Sequence, residues 1–431
     1  MKLKVSLILI FLMMLNLIMP TGIGLKVGSL IINTNKIIFI SSLMLTTYIL
    51  FNRKFSLFRP IMYDYFIGGF IFIIIINSFF SFVLHTNSIV DVTIIILSSI
   101  SWALNYFIFY ILGRFIINQQ AVVLYLKYIL IFLSIGAIVG ILEFIFQFNF
   151  YGTMGIYLGL HDFGITGDLW RGDIYRARSA YEQSIAYGFA MLLGFIVVDR
   201  LAVNLTSKVS FILKNIFIFA LVTSMSRAAI LAFCIYILYS IFNKLNTFFR
   251  LCFLAIVLLG ILLLLPSLEN IFLYDESLAA SDSNLLPRIR DFIFVGEAFD
   301  FSPWFGLGTG ILHNEELMNQ HYSYISSNYD GALDNMYLAI LVESGIIGFI
   351  SYLMLIIGLV LVYFKLKRKE NKKFIFGLII VFLLASLSYD LFVFPGVGRL
   401  LLFLIAVSLY FIEFEMSIDN LEYTNKKWKN L

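Results

Sequence analysis

Apolar runs of about twenty residues alternate with polar connections along this chain, and that alternation decides most of what it can become. The runs are Leu3–Met19, Lys36–Phe51, Tyr65–Leu84, Val92–Leu112, Ala121–Phe148, Tyr181–Val198, Val209–Met225, Ala228–Phe242, Phe248–Leu265, Asp334–Phe364, Phe374–Val393 and Leu400–Phe414. A helix needs roughly 20 apolar residues to cross the hydrocarbon of a bilayer. Inside lipid every backbone N–H and C=O must be bonded within the segment, so such runs read as helices. A spanning barrel would alternate apolar and polar positions, and these runs do not. With 61% hydrophobic and 13% charged residues there is too little polar surface for a water-soluble globule. The predicted class is all-α, a polytopic integral membrane protein of about twelve transmembrane helices forming a single membrane domain over 1–431.

The first run, behind Lys2 and Lys4, resembles the apolar part of a signal peptide. It is long for one and lacks a small-residue cleavage site before Thr21, so it reads as the first span. Cys234 and Cys252 both lie in apolar runs and read as small hydrophobes rather than a disulfide or a thiolate metal site. His85, His161, His313 and His321 are scattered, with no carboxylates at ligand spacing, and no metal site is expected.

Orientation follows from where Lys and Arg fall rather than from the net charge of +4, which implies no nucleic-acid partner. Lys2, Lys4, the Arg53-Lys54 to Arg59 loop, Arg200 with Lys208, Lys244 with Arg250, the Lys365–Lys373 cluster and the Lys426, Lys427 and Lys429 tail share one side. That side is expected to be cytoplasmic, with both termini on it, and the Lys365–Lys373 run is expected to attract anionic membrane lipids. The other side holds a first large outer loop at 149–180, a main outer loop at 267–333 and a short Pro395–Arg399 turn.

Past Lys36, every basic residue on or near that outer side is an arginine: Arg171, Arg176, Arg178, Arg227, Arg288, Arg290 and Arg399. Lysine would serve solubility equally well, whereas the planar guanidinium grips a phosphate or carboxylate with two hydrogen bonds. The competing reading pairs them with Asp162, Asp168, Asp173 and Asp291. Arg227 sharpens the choice: it sits in Ser224-Met225-Ser226-Arg227-Ala228-Ala229 between two apolar runs, where a charge near hydrocarbon is costly. Either it reaches the outer headgroups or it faces a cavity that receives an anion.

In the main loop, Asn284 and Pro287 suit a helix start. Ile289, Phe292, Ile293, Gly296 and Phe299 then follow helical spacing, which predicts an interfacial helix near 285–300. It carries Arg288 and Arg290 near its N-terminal end, where the helix dipole favours an anion. Beyond it come Trp304, suited to the headgroup layer, and Gly306, Gly308 and Gly310, which make a flexible turn or expose N–H groups as an anion nest. The buried acids are Glu143, Glu343 and Asp390. Glu343 lies about 13 Å below Asp334 along one helix and on its opposite face, so the two are not a carboxylate pair. Ser344 and Gly348, one turn apart, read as close helix packing.

Taken in order, these features resemble the superfamily of O-antigen polymerases (Wzy-type) and O-antigen ligases, bacterial membrane glycosyltransferases. The matching segments are Arg176-Ala177-Arg178-Ser179-Ala180-Tyr181-Glu182-Gln183-Ser184 and Ser226-Arg227-Ala228-Ala229. To these add Arg290 with fifteen residues before Gly306, then Gly308 and Gly310, and Asp334-Asn335-Met336-Tyr337-Leu338 leading to Glu343-Ser344-Gly345-Ile346-Ile347-Gly348. The resemblance implies a polyprenyl-pyrophosphate-linked glycan donor and transfer outside the cytoplasmic membrane, with no nucleotide sugar, cofactor or required metal. It also implies a place in making capsule-like or other surface polysaccharide, alongside a flippase and a chain-length regulator.

It further implies that Arg227 and Arg290 hold the pyrophosphate; from the charge pattern above, Arg176, Arg178 and Arg288 are expected to help. Asn335, Tyr337, Gly306 and Gly308 are then expected to position substrate. Ligases of the superfamily carry His-Asn where this chain has Asp334-Asn335, and many polymerase-type members have Asp there. His313-Asn314 looks like the ligase dipeptide but lies in mid-loop and is read as a decoy. Gln183 replaces a proline common in polymerase members. The candidate catalytic bases are therefore Asp334 and Glu182, and the expected activity is repeat-unit polymerisation. A ligase acting on a finished glycan and a non-enzymatic flippase are the rivals; the single large outer loop and the lack of similarity between the two halves favour an enzyme.

Overall fold

In the computed structural model the described residues are 2–20, 24–27, 30–52, 60–85, 89–116, 119–157, 169–171, 174–243, 285–313, 318–319, 322, 333, 335–389, 391 and 395–411. Their helices are α1 (Lys2–Ile18), α2 (Thr34–Asn52), α3 (Met62–His85), α4 (Ile89–Ile116), α5 (Gln119–Phe146), α6 (Phe150–Tyr157), α7 (Ser184–Leu201), α8 (Ser207–Thr223) and α9 (Arg227–Phe242). After these come α10 (Leu285–Phe301), α11 (Met336–Lys365), α12 (Lys369–Ser388) and α13 (Pro395–Phe411).

Among the described residues five stretches are long and apolar enough to cross a membrane: Met62–Ser81, Val122–Phe146, Ser184–Asn204, Met336–Lys365 and Lys369–Ser388. Shorter apolar helices cover Leu7–Ile18, Arg227–Phe242 and Pro395–Phe411. The protein is thus mostly helical with several candidate spans, while the expected run Phe248–Leu265 lies outside the described residues. The all-α expectation stands, with two small antiparallel hairpins beside the helices among the described residues: β1 (Gly24–Val27) pairs with β2 (Leu30–Asn33), and β3 (Trp170–Arg171) with β4 (Ile174–Tyr175).

Helices α7 and α13 form the interior. Every residue from Ala186 to Val198, and every one from Pro395 to Leu409, is buried, as expected of helices that are apolar all round. Around α7 stand α5, α8, α9 and α12, and α11 runs along α3 and α12. Lipid tails give no hydrophobic drive between helices, so association depends on close approach at small residues. A Cβ on Gly140 would lie 2.2 Å from the Tyr187 hydroxyl, and one on Gly194 2.4 Å from the Phe217 ring.

One end of the bundle gathers matched charges. Asp199 of α7 accepts from Lys214 of α8 at 2.6 Å and from the Tyr236 hydroxyl at 2.8 Å, and it also pairs with Lys373 of α12. Asp64 at the start of α3 holds Arg114 at the end of α4 through contacts of 3.0 and 2.9 Å.

The other notable junction is a break in α11. Gly345 takes φ 62°, ψ −166°, a conformation that favours glycine, and the chain at 303–308 lies across the gap. Leu307 N–H donates to Val342 O (2.8 Å) and Gly308 N–H to Glu343 O (2.9 Å), while Ile346 N–H donates back to Pro303 O (2.9 Å). A Cβ on Gly345 would stand 2.4 Å from the Trp304 carbonyl carbon, and one on Gly306 2.4 Å from that of Glu343. Neither position has room for a side chain.

Candidate functional site

The hairpin β3–β4 leads into the arginine-rich segment, which is pinned at several points. Arg176 N–H donates to Leu169 O (2.7 Å) and Ala177 N–H to Thr223 O at the end of α8 (3.0 Å). The Arg176 Nε then reaches Ser224 O at 3.4 Å. Ser224 opens the tight turn into α9, in which Met225 adopts φ 51° and the Ser226 hydroxyl caps Ala229 N–H at 3.3 Å. That cap makes Arg227 the first residue of α9. Gly188 allows α7 to approach the same turn, since a Cβ there would lie 2.7 Å from Ser224 Oγ. Two arginine motifs separated by 48 residues thus meet at one end of the bundle. Arg227 is exposed, and no described residue hydrogen-bonds or ion-pairs with its guanidinium.

Glu143, near the end of α5, organises the segment from behind. Its Oε2 accepts from Ser179 N–H (2.7 Å) and Arg178 N–H (3.3 Å), and its Oε1 from Phe150 N–H (3.2 Å). This triple contact holds Ser179 at φ 51°, a left-handed conformation unusual for serine. Arg178 is only 2% exposed and donates to the Glu182 carbonyl at 3.4 Å. It therefore braces the turn instead of facing outward as the sequence reading expects.

Glu182 lies just outside the span Ser184–Asn204. Part of the residue stays accessible, yet enough protein surrounds the carboxyl for burial to push its pKa up to about 7. Its own backbone N–H and the charges of Arg399 and Arg178 pull the other way.

The Pro395–Arg399 turn is corrected by the structure. Proline is welcome in the first turn of a helix, and α13 begins at Pro395, which places Arg399 inside the bundle at 0% exposure. Its guanidinium donates to Asn105 O (3.0 Å) and Asn16 Oδ1 (3.3 Å), and also to the side-chain oxygens of Asn35 and Asn105. Asn16 also donates to Gly396 O at 3.0 Å. Arg399 joins α1, α2, α4 and α13 in place of the outer anion contact expected for it. Polar residues within apolar runs were the available signal for this cage and for the role of Glu143.

The main loop carries its own small core of Phe294, Val295 and Ala298 from α10 with Leu307, Ile311, Leu312, Tyr322, Leu333, Ala339 and Val342. α10 covers the expected helix and places Arg288 and Arg290 in its first two turns, with Phe292 and Ile293 exposed. The N–H groups of the glycines are taken up internally: Gly306 donates to Ser302 O (3.0 Å), Gly308 to Glu343 O (2.9 Å) and Gly310 to Glu343 Oε1 (2.9 Å). Gly306 and Gly308 therefore bear on any site through loop shape, not as an anion nest.

Asn335 is the N-cap of α11, its Oδ1 accepting from Tyr337 N–H (2.9 Å) and Leu338 N–H (3.3 Å). Asp334 lies outside the described residues. The Tyr337 hydroxyl donates to Leu383 O of α12 (3.3 Å), and Tyr389 just beyond α12 packs on Phe189 near the start of α7, ring centroids 5.9 Å apart. These contacts put Asn335 and the Arg176–Glu182 segment at the same end of the bundle. Among the described residues no three His, Cys, Asp or Glu side chains gather as a metal-holding group.

Residues 213–353 match the family model described as O-antigen ligase (Wzy_C), a segment that contains Arg227, Arg288, Arg290, the glycine loop, Asn335 and the α11 break. No curated protein matches the chain.

Proposed function

We propose that this chain, whose residues 213–353 match the O-antigen ligase family model, joins polyprenyl-pyrophosphate-linked oligosaccharide repeat units on the outer face of the cytoplasmic membrane. The observation that carries this reading is the meeting of the two arginine motifs beside Glu182, with Arg227 exposed and uncommitted among the described residues. In the proposed reaction Arg227, with Arg290 and Arg288 from α10, holds the donor pyrophosphate, and Arg176 lends its charge from the Ser224 contact. The glycosidic C–O bond to the pyrophosphate breaks as an acceptor sugar hydroxyl attacks the anomeric carbon. Fixed guanidinium groups stabilise the charge that grows on the leaving diphosphate. Glu182 or Asp334 takes the hydroxyl proton.

A second reading, transfer of a finished glycan once to another acceptor, is favoured by the description of the matched family. Both are tested by deleting the gene, restoring it, and sizing polyprenyl-linked and surface glycan. Polymerisation predicts a ladder of repeats on restoration and single units without the gene. Full-length lipid-linked chains accumulating without the gene mark a ligase, and units trapped on the cytoplasmic face mark a flippase.

If Glu182 is the base, its carboxylate form is the active one. With a pKa near 7, the rate then rises with pH up to about 7 and falls close to ten-fold per unit below about 6. Glu182→Gln abolishes that limb along with most of the rate. A flat profile between pH 5 and 8 in wild type moves the assignment to Asp334.

A further inference from the structure

Buried polar side chains in folded proteins are overwhelmingly hydrogen-bonded. Several of the exceptions among the described residues fall within nine consecutive positions. Within residues 175–183, four buried atoms have no hydrogen-bond partner among the described residues: Tyr175 Oη, Ser179 Oγ, Tyr181 Oη and Gln183 Oε1. Tyr175, Ser179 and Tyr181 are 3%, 2% and 4% exposed. Gln183 occupies the N-cap of α7, yet its side chain caps nothing.

The backbone that carries these groups is held firmly. Arg176 and Ala177 are bonded to Leu169 and Thr223, Tyr181 N–H donates to Arg178 O at 3.0 Å, and Glu143 fixes Arg178 and Ser179. The stretch is thus a rigid frame in which these four side-chain atoms have no hydrogen-bond partner among the described residues.

Their chemistry is specific. All four are neutral: three hydroxyls that can both donate and accept, and one amide oxygen. A phosphate would call for cations, and none of these four groups is one: Arg176 reaches Ser224 O, Arg178 is turned to the Glu182 carbonyl, and the exposed guanidinium stands on the neighbouring turn at Arg227. A polyol satisfies such a set, since sugar hydroxyls also donate and accept. Trp170, 45% exposed with its ring 5.4 Å from that of Tyr175, adds an apolar face of the kind that covers sugar C–H groups. Glu182 lies in the same run, between Tyr181 and Gln183. The four atoms are shut from solvent in this conformation, whereas Arg176, Glu182 and Gln183 remain half-exposed beside them.

We infer that residues 175–183 form a glycosyl subsite, entered past Gln183, that binds the hydroxyl-bearing ring of the acceptor sugar and presents one hydroxyl to Glu182. This inference rests on the transferase reading above and names where that reaction's acceptor is recognised. No bond changes at the subsite itself; the proton leaves the acceptor hydroxyl for the carboxylate as the glycosidic bond forms.

The test uses full-length protein in lipid nanodiscs and lipid-linked single repeat units extracted from cells lacking the gene. Tyr181→Phe and Ser179→Ala each remove only an unpartnered oxygen, so neither lowers the melting temperature. Each is expected to weaken repeat-unit binding about five-fold, and the pair about twenty-fold, with KM for the acceptor raised and kcat little changed. Binding by the double variant equal to wild type overturns the subsite. So does loss of binding accompanied by a lowered melting temperature, which marks these atoms as structural. Wild type that neither binds nor extends the repeat unit removes the transferase reading, and the subsite with it.

Discussion

Arg227→Ala is expected to cut the proposed chain extension by about 100- to 1,000-fold, the usual cost of losing one fixed group that stabilises charge in a transition state. The protein should insert and melt as wild type does. The reason for expecting so clean a separation is the position of the side chain. Arg227 is exposed, and no described residue bonds its guanidinium, so alanine removes no packing and leaves no described partner stranded. The helix start survives, because the cap is the Ser226 hydroxyl on Ala229 N–H. Arg227→Lys discriminates further: it keeps the charge and loses the planar fork, so an intermediate rate indicates two-pronged recognition of phosphate oxygens. The measurement is repeat-unit incorporation by membranes containing matched amounts of each variant. A ladder of normal length and yield from Arg227→Ala takes this arginine out of the site and leaves α10 to hold the anion.

The helices and the arginine segments were legible because both are local signals. An apolar run announces a helix by length alone, and Ser226-Arg227 announces a capped start through residues adjacent in the chain. The arginines themselves were not equally readable, since burial separates them in a way that residue type does not. Arg227 is exposed, Arg178 is enclosed behind the turn it braces, and Arg399 is tied to asparagines from three other helices. Recognising Arg399 as internal required seeing that Pro395 opens a helix and that Asn16, Asn35 and Asn105 converge on it, pairings that span up to 383 residues. The same limit hid the link between the glycine loop and Glu343-Ser344-Gly345. Each segment reads separately as a turn and a packing motif, and only their reciprocal backbone hydrogen bonds show that each shapes the other.

Glu143→Ala should behave in the opposite way to Arg227→Ala and lose stability and activity together. The carboxyl accepts three backbone N–H groups, from Phe150, Arg178 and Ser179, at a position 2% exposed. Removing it leaves those donors without an acceptor where water does not replace one, at a cost of about 3 to 5 kcal/mol. Ser179 is then free to leave its left-handed conformation, and with it goes the course of the chain from Arg176 to Glu182. Hydrogen exchange of the Arg178 and Ser179 amides should rise before any global unfolding, because the damage begins there. Glu143→Gln retains one oxygen acceptor and should fall between the two. An alanine variant with wild-type melting and protected amides at 178 and 179 means that the turn is held from elsewhere. Activity lost at normal stability marks a group that meets the substrate; activity and stability lost together mark one that holds such groups in place, and Arg227 and Glu143 are expected to fall on opposite sides of that line.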